Sequence, residues 1–160
     1  MAKSQSATPT DRLLRSLLTA VHRLLKLNWF VRRPRTFGAH ALAFTPERKV
    51  ILVKLRYVQG WRLPGGGRSE SEDPRDAVLR ELREEIGMIS HGRVCPAGGL
   101  EQTSDFKRDL ASLLIVEDVR YVPRKWSWEV EQIIERCLDD LPHDVAPIAR
   151  EWIRVIRDKL

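Results

Sequence analysis

"GGRSESEDPRDAVLRELREEIGM" occupies residues 66–88, and its second half crowds Glu81, Glu84 and Glu85 into five positions. The run from Pro74 to Ile86 reads as a helix. Val78, Leu79, Leu82 and Ile86 form one apolar stripe, Pro74 suits a first turn where its missing N–H costs nothing, and Gly87 stands where a C-terminal cap belongs. At roughly 100° per residue the three glutamates span an arc about 100° wide beside that stripe, with small Ala77 in the same arc one turn earlier. Like charges at these spacings cost roughly a few tenths of a kcal/mol each on a bare helix. A divalent cation among them removes that cost. The donors on offer are all oxygens, with no His or Cys nearby, which favours Mg²⁺ or Mn²⁺ over zinc. The competing reading is a glutamate-rich helix solvated on its outer face, with Arg80 and Arg83 pairing with the acids.

The register of the whole stretch weighs against mere solvation. It runs Gly66, five residues, Glu72, seven residues, Arg80-Glu81, the aliphatic Leu82, one residue, Glu84-Glu85, one residue, Gly87 and the aliphatic Met88. From this composition a chance match is on the order of one in several million. The pattern resembles the signature box of the Nudix hydrolases without a departure. The upstream "GWRLPGGG" and the downstream "DDLP" are also typical, so the resemblance extends over residues 37–160 and leaves out the N-terminal arm.

The resemblance implies an α/β/α sandwich with a mixed central sheet that binds Mg²⁺ or Mn²⁺ and cleaves a diphosphate joined to another moiety. Carried onto this chain, it makes Glu81, Glu84 and Glu85 metal ligands, with Glu81 also a candidate general base, and lets the Gly66 carbonyl serve as a further ligand. Glu72 falls at the loop position that assists the metal site, and Arg80 would orient the glutamates through charge-assisted hydrogen bonds. A further acid outside the box commonly contributes in the family; Glu129 and Glu131 are the candidates here. The glycine triplet at 65–67 lets the backbone approach a phosphate or metal closely.

The rest of the chain bounds these readings. At 160 residues it holds one domain with a real core, and its 42% hydrophobic and 31% charged residues are those of a soluble globular protein. Cys95 and Cys137 lie in no metal-ligand or redox spacing, which fits a reducing, cytoplasmic setting. The net charge of +6 invites a nucleic-acid reading until it is located. Residues 1–36 carry eight Lys and Arg against Asp11 alone, or +7, so residues 37–160 sum to −1 and offer nucleic acid no broad basic surface. Within that arm Leu13, Leu14, Leu17, Leu18, Val21, Leu24 and Leu25 recur at helical spacing opposite Arg12, Arg15, Arg23 and Lys26, the pattern of a basic amphipathic helix. Its apolar face has three readings: packing on the body or on a second subunit as a homodimer, peripheral membrane contact, or targeting in the manner of a transit peptide.

Short strands begin at Phe37 with "FGAHALAF", a hairpin-like turn at "TPERK" and "VILVKL"; "DLASLLIVEDV" reads as a buried strand and "EVEQIIE" as one with a wet face. A last helix near Pro147 presents Ile148, Trp152, Val155 and Ile156 to the body. These elements build an α/β fold with the sheet in the middle.

Substrate choice lies outside the box. The motifs that accompany ADP-ribose, dinucleoside polyphosphate, coenzyme A, NADH and RNA-cap relatives are absent, with Thr103, Ser104 and Phe106 where the first two carry theirs. A small nucleotide remains, either a nucleoside triphosphate or a nucleoside diphosphate joined to another group. Phe106, Tyr57 and Trp61 are candidates to stack on its base. Trp126 and Trp128 flank the late loop beside Glu129 and would cover the site, close a dimer or touch substrate. The alternative function is a nucleotide-binding regulator of the same fold without turnover. Non-enzymatic relatives usually lose box glutamates, and this chain has lost none.

Overall fold

In the computed structural model, described for residues 35–104, 107–123 and 127–157, period-two alternation in the strands builds two cores on opposite faces of the sheet layer. Strand β1 (Arg35–Ala43) directs Ala39, Ala41 and Ala43 to one face and Leu42 to the other. Strand β2 (Val50–Leu55) sends Ile51 and Val53 one way, Val50 and Leu52 the other. Helix α1 (Pro74–Glu85) covers the first face and helix α2 (Pro147–Arg157) the second, giving an α/β/α sandwich. The expected amphipathic helix of the N-terminal arm, Phe106 and Trp126 lie outside the described residues.

The remaining strands are β3 (Trp61–Arg62), β4 (Gly65–Arg68), β5 (Met88–Ser90), β6 (Val94–Ser104), β7 (Lys107–Val116), β8 (Arg120–Tyr121) and β9 (Val130–Arg136). They form a ladder in the order β4-β1-β7-β6, a second of β3-β2-β9 and a small β5-β8 pair. The first is mixed, because β1 runs parallel to β7 and antiparallel to β4. The turn after β1 does close, with Thr45 N–H donating to Lys49 O at 2.8 Å, but pairing stops at one bridge, Phe44 to Val50. The hairpin expected from "TPERK" therefore opens into two ladders. Both edges of β1 are already taken by β4 and β7, so β2 must find β3 and β9.

Helix α1 starts and stops as its sequence dictates. Asp73 caps it by accepting the Arg75 N–H at 2.8 Å, Pro74 opens the first turn, and Gly87 follows with φ 74°. Asp73→Ala is expected to lower stability by about 1 kcal/mol, read as a shift in the urea midpoint. The stripe Val78, Leu79, Leu82 and Ile86 is buried as expected. Ala77, in the same arc as the acids one turn earlier, is fully buried in the same core. The acidic face is thereby narrowed to the glutamates.

Candidate active site

Strand β4 brings its glycines against α1, and the three adjacent acids meet different surroundings there. Glu85 borders the apolar stripe, is only 7% exposed, and accepts the Gly65 N–H at 2.8 Å through Oε2. Burial pushes its carboxyl up to about 8, the Gly65 hydrogen bond opposes that rise, and the charges of Glu81, Glu129 and Glu84 add to it. Glu81 is shifted upward as well, chiefly by burial and against the pull of Arg80. Glu84, one step further round the helix, has a side chain that is 58% exposed.

Arg80 organises the remainder. Its Nη1 donates to Glu81 Oε1 at 2.7 Å, its Nε to Glu72 Oε1 at 3.2 Å and its Nη2 to the Gly67 carbonyl at 3.1 Å, while Glu84 Oε2 stands 3.6 Å away. Those bonds hold the Glu72 carboxyl below the usual range and raise the guanidinium. Sequence reading left pairing by Arg80 and cation binding as rival uses of these acids. The geometry includes the pairing: Glu72 and Glu81 are tethered, and Glu85 is held by backbone instead.

The loop that carries Glu72 is wrapped around Arg68, whose Nη1 donates to the carbonyls of Ser69, Glu70 and Glu72 at 3.0, 3.2 and 3.0 Å. Its guanidinium also sits 5.2 Å from the centroid of the Phe37 ring. Nothing in the sequence marked Arg68, which falls at a variable position of the box.

A cavity of about 380 Å³ opens over the acids, with Glu81, Glu84 and Glu85 on one wall and the segment Ser127 to Val130 on the other. Glu129 thus joins the box glutamates. Glu131 does not line the cavity: a register shift at Lys54/Leu55 pairs Leu55 with Val130 and Lys54 with Gln132, so the ladder passes over it. Tyr57, from the loop between β2 and β3, donates its hydroxyl to Glu129 Oε1 at 2.5 Å. Burial and the Glu129 charge raise that phenol above its ordinary value. Trp61 lies on the opposite face, 7% exposed in the core beneath α2, away from the carboxylates.

The chemistry of the donors fits a hard divalent cation. Four carboxyl groups face one cavity, and Glu85 is buried there, so a nearby cation would favour its charged form with little screening by water. Among the described residues, no three His, Cys, Asp or Glu side chains are already drawn into a metal cage. A cation held there would have to draw the acids together.

These features define an α/β/α sandwich whose strand–helix junction collects acidic side chains at the edge of an open cavity. The chain belongs to the Nudix hydrolase family, whose domain model (NUDIX domain) matches residues 34–156. It is 37% identical over 110 residues to a diphosphoinositol polyphosphate phosphohydrolase 3-beta of Bos taurus, a match covering 61% of this chain and 66% of that protein. It is 45% identical over 42 residues to an RNA pyrophosphohydrolase of Hydrogenovibrio crunogenus, covering 26% of each. The chain spans less than two thirds of the length of these curated relatives. Among solved structures, a MutT Nudix hydrolase from Burkholderia pseudomallei superposes with a TM-score of 0.64 at 23% identity, covering 75% of this chain and 96% of that one, a likeness of fold.

Proposed function

We propose that the protein is a divalent-cation-dependent hydrolase that cleaves the diphosphate bond of a small nucleotide, either a nucleoside triphosphate or a nucleoside diphosphate joined to another group. The observation that carries this reading is the convergence of Glu81, Glu84, Glu85 and Glu129 on one cavity, with Glu85 buried at its base. Glu81, Glu84 and Glu85, together with the Gly66 carbonyl, would hold Mg²⁺ or Mn²⁺. When bound, the cation neutralises phosphoryl oxygens and lowers the pKa of the attacking water.

The chain's own groups supply position and a proton acceptor. The Gly65 N–H fixes Glu85, and Arg80 fixes Glu81 by a charge-assisted bond from Nη1 to Oε1, leaving Oε2 to accept the proton that water loses as it attacks phosphorus. Tyr57 holds Glu129 across the cavity, as the auxiliary acid, and Glu72 acts through Arg80. Similarity to the bovine diphosphoinositol polyphosphate phosphohydrolase and the Hydrogenovibrio RNA pyrophosphohydrolase supports a diphosphate-bearing substrate.

The test is a nucleotide panel with Mg²⁺ and coupled phosphate detection. Glu84→Gln and Glu85→Gln are expected to lose more kcat than Glu129→Gln, and Glu131→Gln is expected to stay near wild type, because it stands outside the cavity. Losses in the reverse order would put the cation in the wrong place. Tight nucleotide binding without hydrolysis across the panel would instead identify a regulator.

No helix among the described residues is long and apolar enough to cross a membrane.

A further inference from the structure

Three large apolar side chains among the described residues are conspicuously exposed: Ile89, Val122 and Trp128. Ile89 lies in β5 and Val122 follows β8, whose strands pair at the far end of α1, and neither lines the cavity. Trp128 is 56% exposed and faces the same cavity as Glu81, Glu84 and Glu85. An indole left in water beside a cluster of acids has no packing role there that the described residues supply. More than half exposed and with a polar edge, it suits a flat partner that comes and goes.

The turn that carries it is pinned on both sides. The Arg56 N–H donates to the Glu129 carbonyl at 2.9 Å, and Arg56 Nε donates to the Ser127 carbonyl at 3.1 Å. Ser127 Oγ accepts the N–H groups of Glu129 and Val130 at 3.3 and 3.0 Å, and Tyr57 grips the Glu129 carboxylate. The backbone on each side of Trp128 is thus ordered before any ligand arrives, so little freedom remains to be lost on binding. The described lining also contains no Lys, Arg or His. An uncharged base on this wall would meet the indole, whereas phosphates would face the carboxylates and need a cation between them.

We propose that Trp128 is the stacking platform for the nucleobase, so that the site selects diphosphates carrying an aromatic base over base-free ones. The inference rests on the hydrolase reading above for the placement of the diphosphate against the acids. Trp128 then determines specificity rather than chemistry: the base lies on the indole while the diphosphate reaches across to the carboxylates.

The test uses a matched pair of ligands that differ only in the base. Isothermal titration with Mg²⁺ compares AMP with ribose 5-phosphate on the wild type, Trp128→Ala and Trp128→Phe, each checked by thermal melting. Trp128→Ala is expected to weaken AMP about tenfold, in the range for loss of one base–aromatic stack, and to leave ribose 5-phosphate unchanged. Trp128→Phe should recover AMP to within about threefold of the wild type, because it keeps an aromatic face. Equal affinity of AMP for the wild type and Trp128→Ala, no preference of the wild type for AMP over ribose 5-phosphate, or equal weakening of both ligands would each overturn the proposal. Hydrolysis by the wild type is scored separately on ADP-ribose and on 5-phosphoribosyl 1-diphosphate. Turnover of the second compound alone would refute the base platform and the nucleotide substrate while leaving a diphosphatase. Turnover of neither, nor of any nucleotide in the panel above, with base-dependent binding intact, would refute the hydrolase and keep the platform.

Discussion

Glu85→Gln is expected to lose on the order of 100-fold to 1000-fold in kcat, the scale for removing one preorganised charge from a reacting centre, and yet to be no less stable than the wild type without metal. The side chain is 7% exposed, and its carboxylate shares the cavity with Glu81, Glu84 and Glu129. With its carboxyl pushed up to about 8, Glu85 must at neutral pH either take up a proton or bury a charge, and either costs stability relative to the unfolded chain. Glutamine fills the same volume, its carbonyl still accepts from Gly65 N–H, and the repulsion by the neighbouring acids disappears. Two measurements check this. Steady-state kinetics gives the loss of turnover, and thermal melting with and without Mg²⁺ gives the linkage. The wild type should gain melting temperature with Mg²⁺ and the variant should gain much less, because a cation stabilises only the state that binds it. A variant that keeps more than a tenth of the wild-type kcat would remove Glu85 from the cation site.

Gly65→Ala is the second large effect, and here the loss is in the fold. Gly65 has φ +141°, and a Cβ built on it would stand 2.3 Å from the Ala39 carbonyl oxygen and 2.6 Å from the His40 Cα. Both are backbone atoms of the paired strand β1, which cannot step aside without breaking the ladder. A cost of at least about 4 kcal/mol is expected, combining strain with overpacking, together with loss of the N–H geometry that anchors Glu85. Gly66→Ala should behave differently. Its Cβ would come 2.6 Å from Glu81 Oε1, the end of a side chain that can move, so the fold survives and activity falls. Gly67→Ala meets nothing within 4 Å and should be close to neutral in both. Urea melts and kinetics on the three variants check the order; equal losses at Gly65 and Gly67 would contradict it.

That graded response of three identical neighbours shows where local sequence stops being informative. "GGG" signals a backbone that bends and approaches closely, and each glycine carries that signal equally. What separates them is β1 behind Gly65, α1 beside Gly66 and open space at Gly67. The same holds for the acids. Their spacing places Glu81, Glu84 and Glu85 in one arc, because helical periodicity is a property of the local chain. It does not rank them, because the burial of Glu85 depends on β4, paired to β1 some 25 residues upstream in register.

Other features divide along that line. The apolar stripe of α1, its Asp73 and Pro74 start and its Gly87 stop are short-range devices, and they were legible at once. So was the box itself, and with it the family. The strand pattern was legible, but the partner of each strand was not: β1 and β2 are joined by a tight turn and still enter different ladders, since β7 and β4 compete for the edges of β1. Glu129 and Glu131 look equivalent along the chain, and only a register shift against β2 puts one on the cavity and passes over the other. Trp61 and Trp128 are both aromatic residues in loops or short strands; long-range packing buries the first beneath α2 and leaves the second facing the acids. Spacing along the chain determined which side chains share a face of their own helix or strand. Which surface covers that face, and so which acid is buried, which glycine is hemmed in and which tryptophan stays exposed, was decided by contacts between residues far apart in sequence, because burial is a property of the assembled layers and not of any one of them.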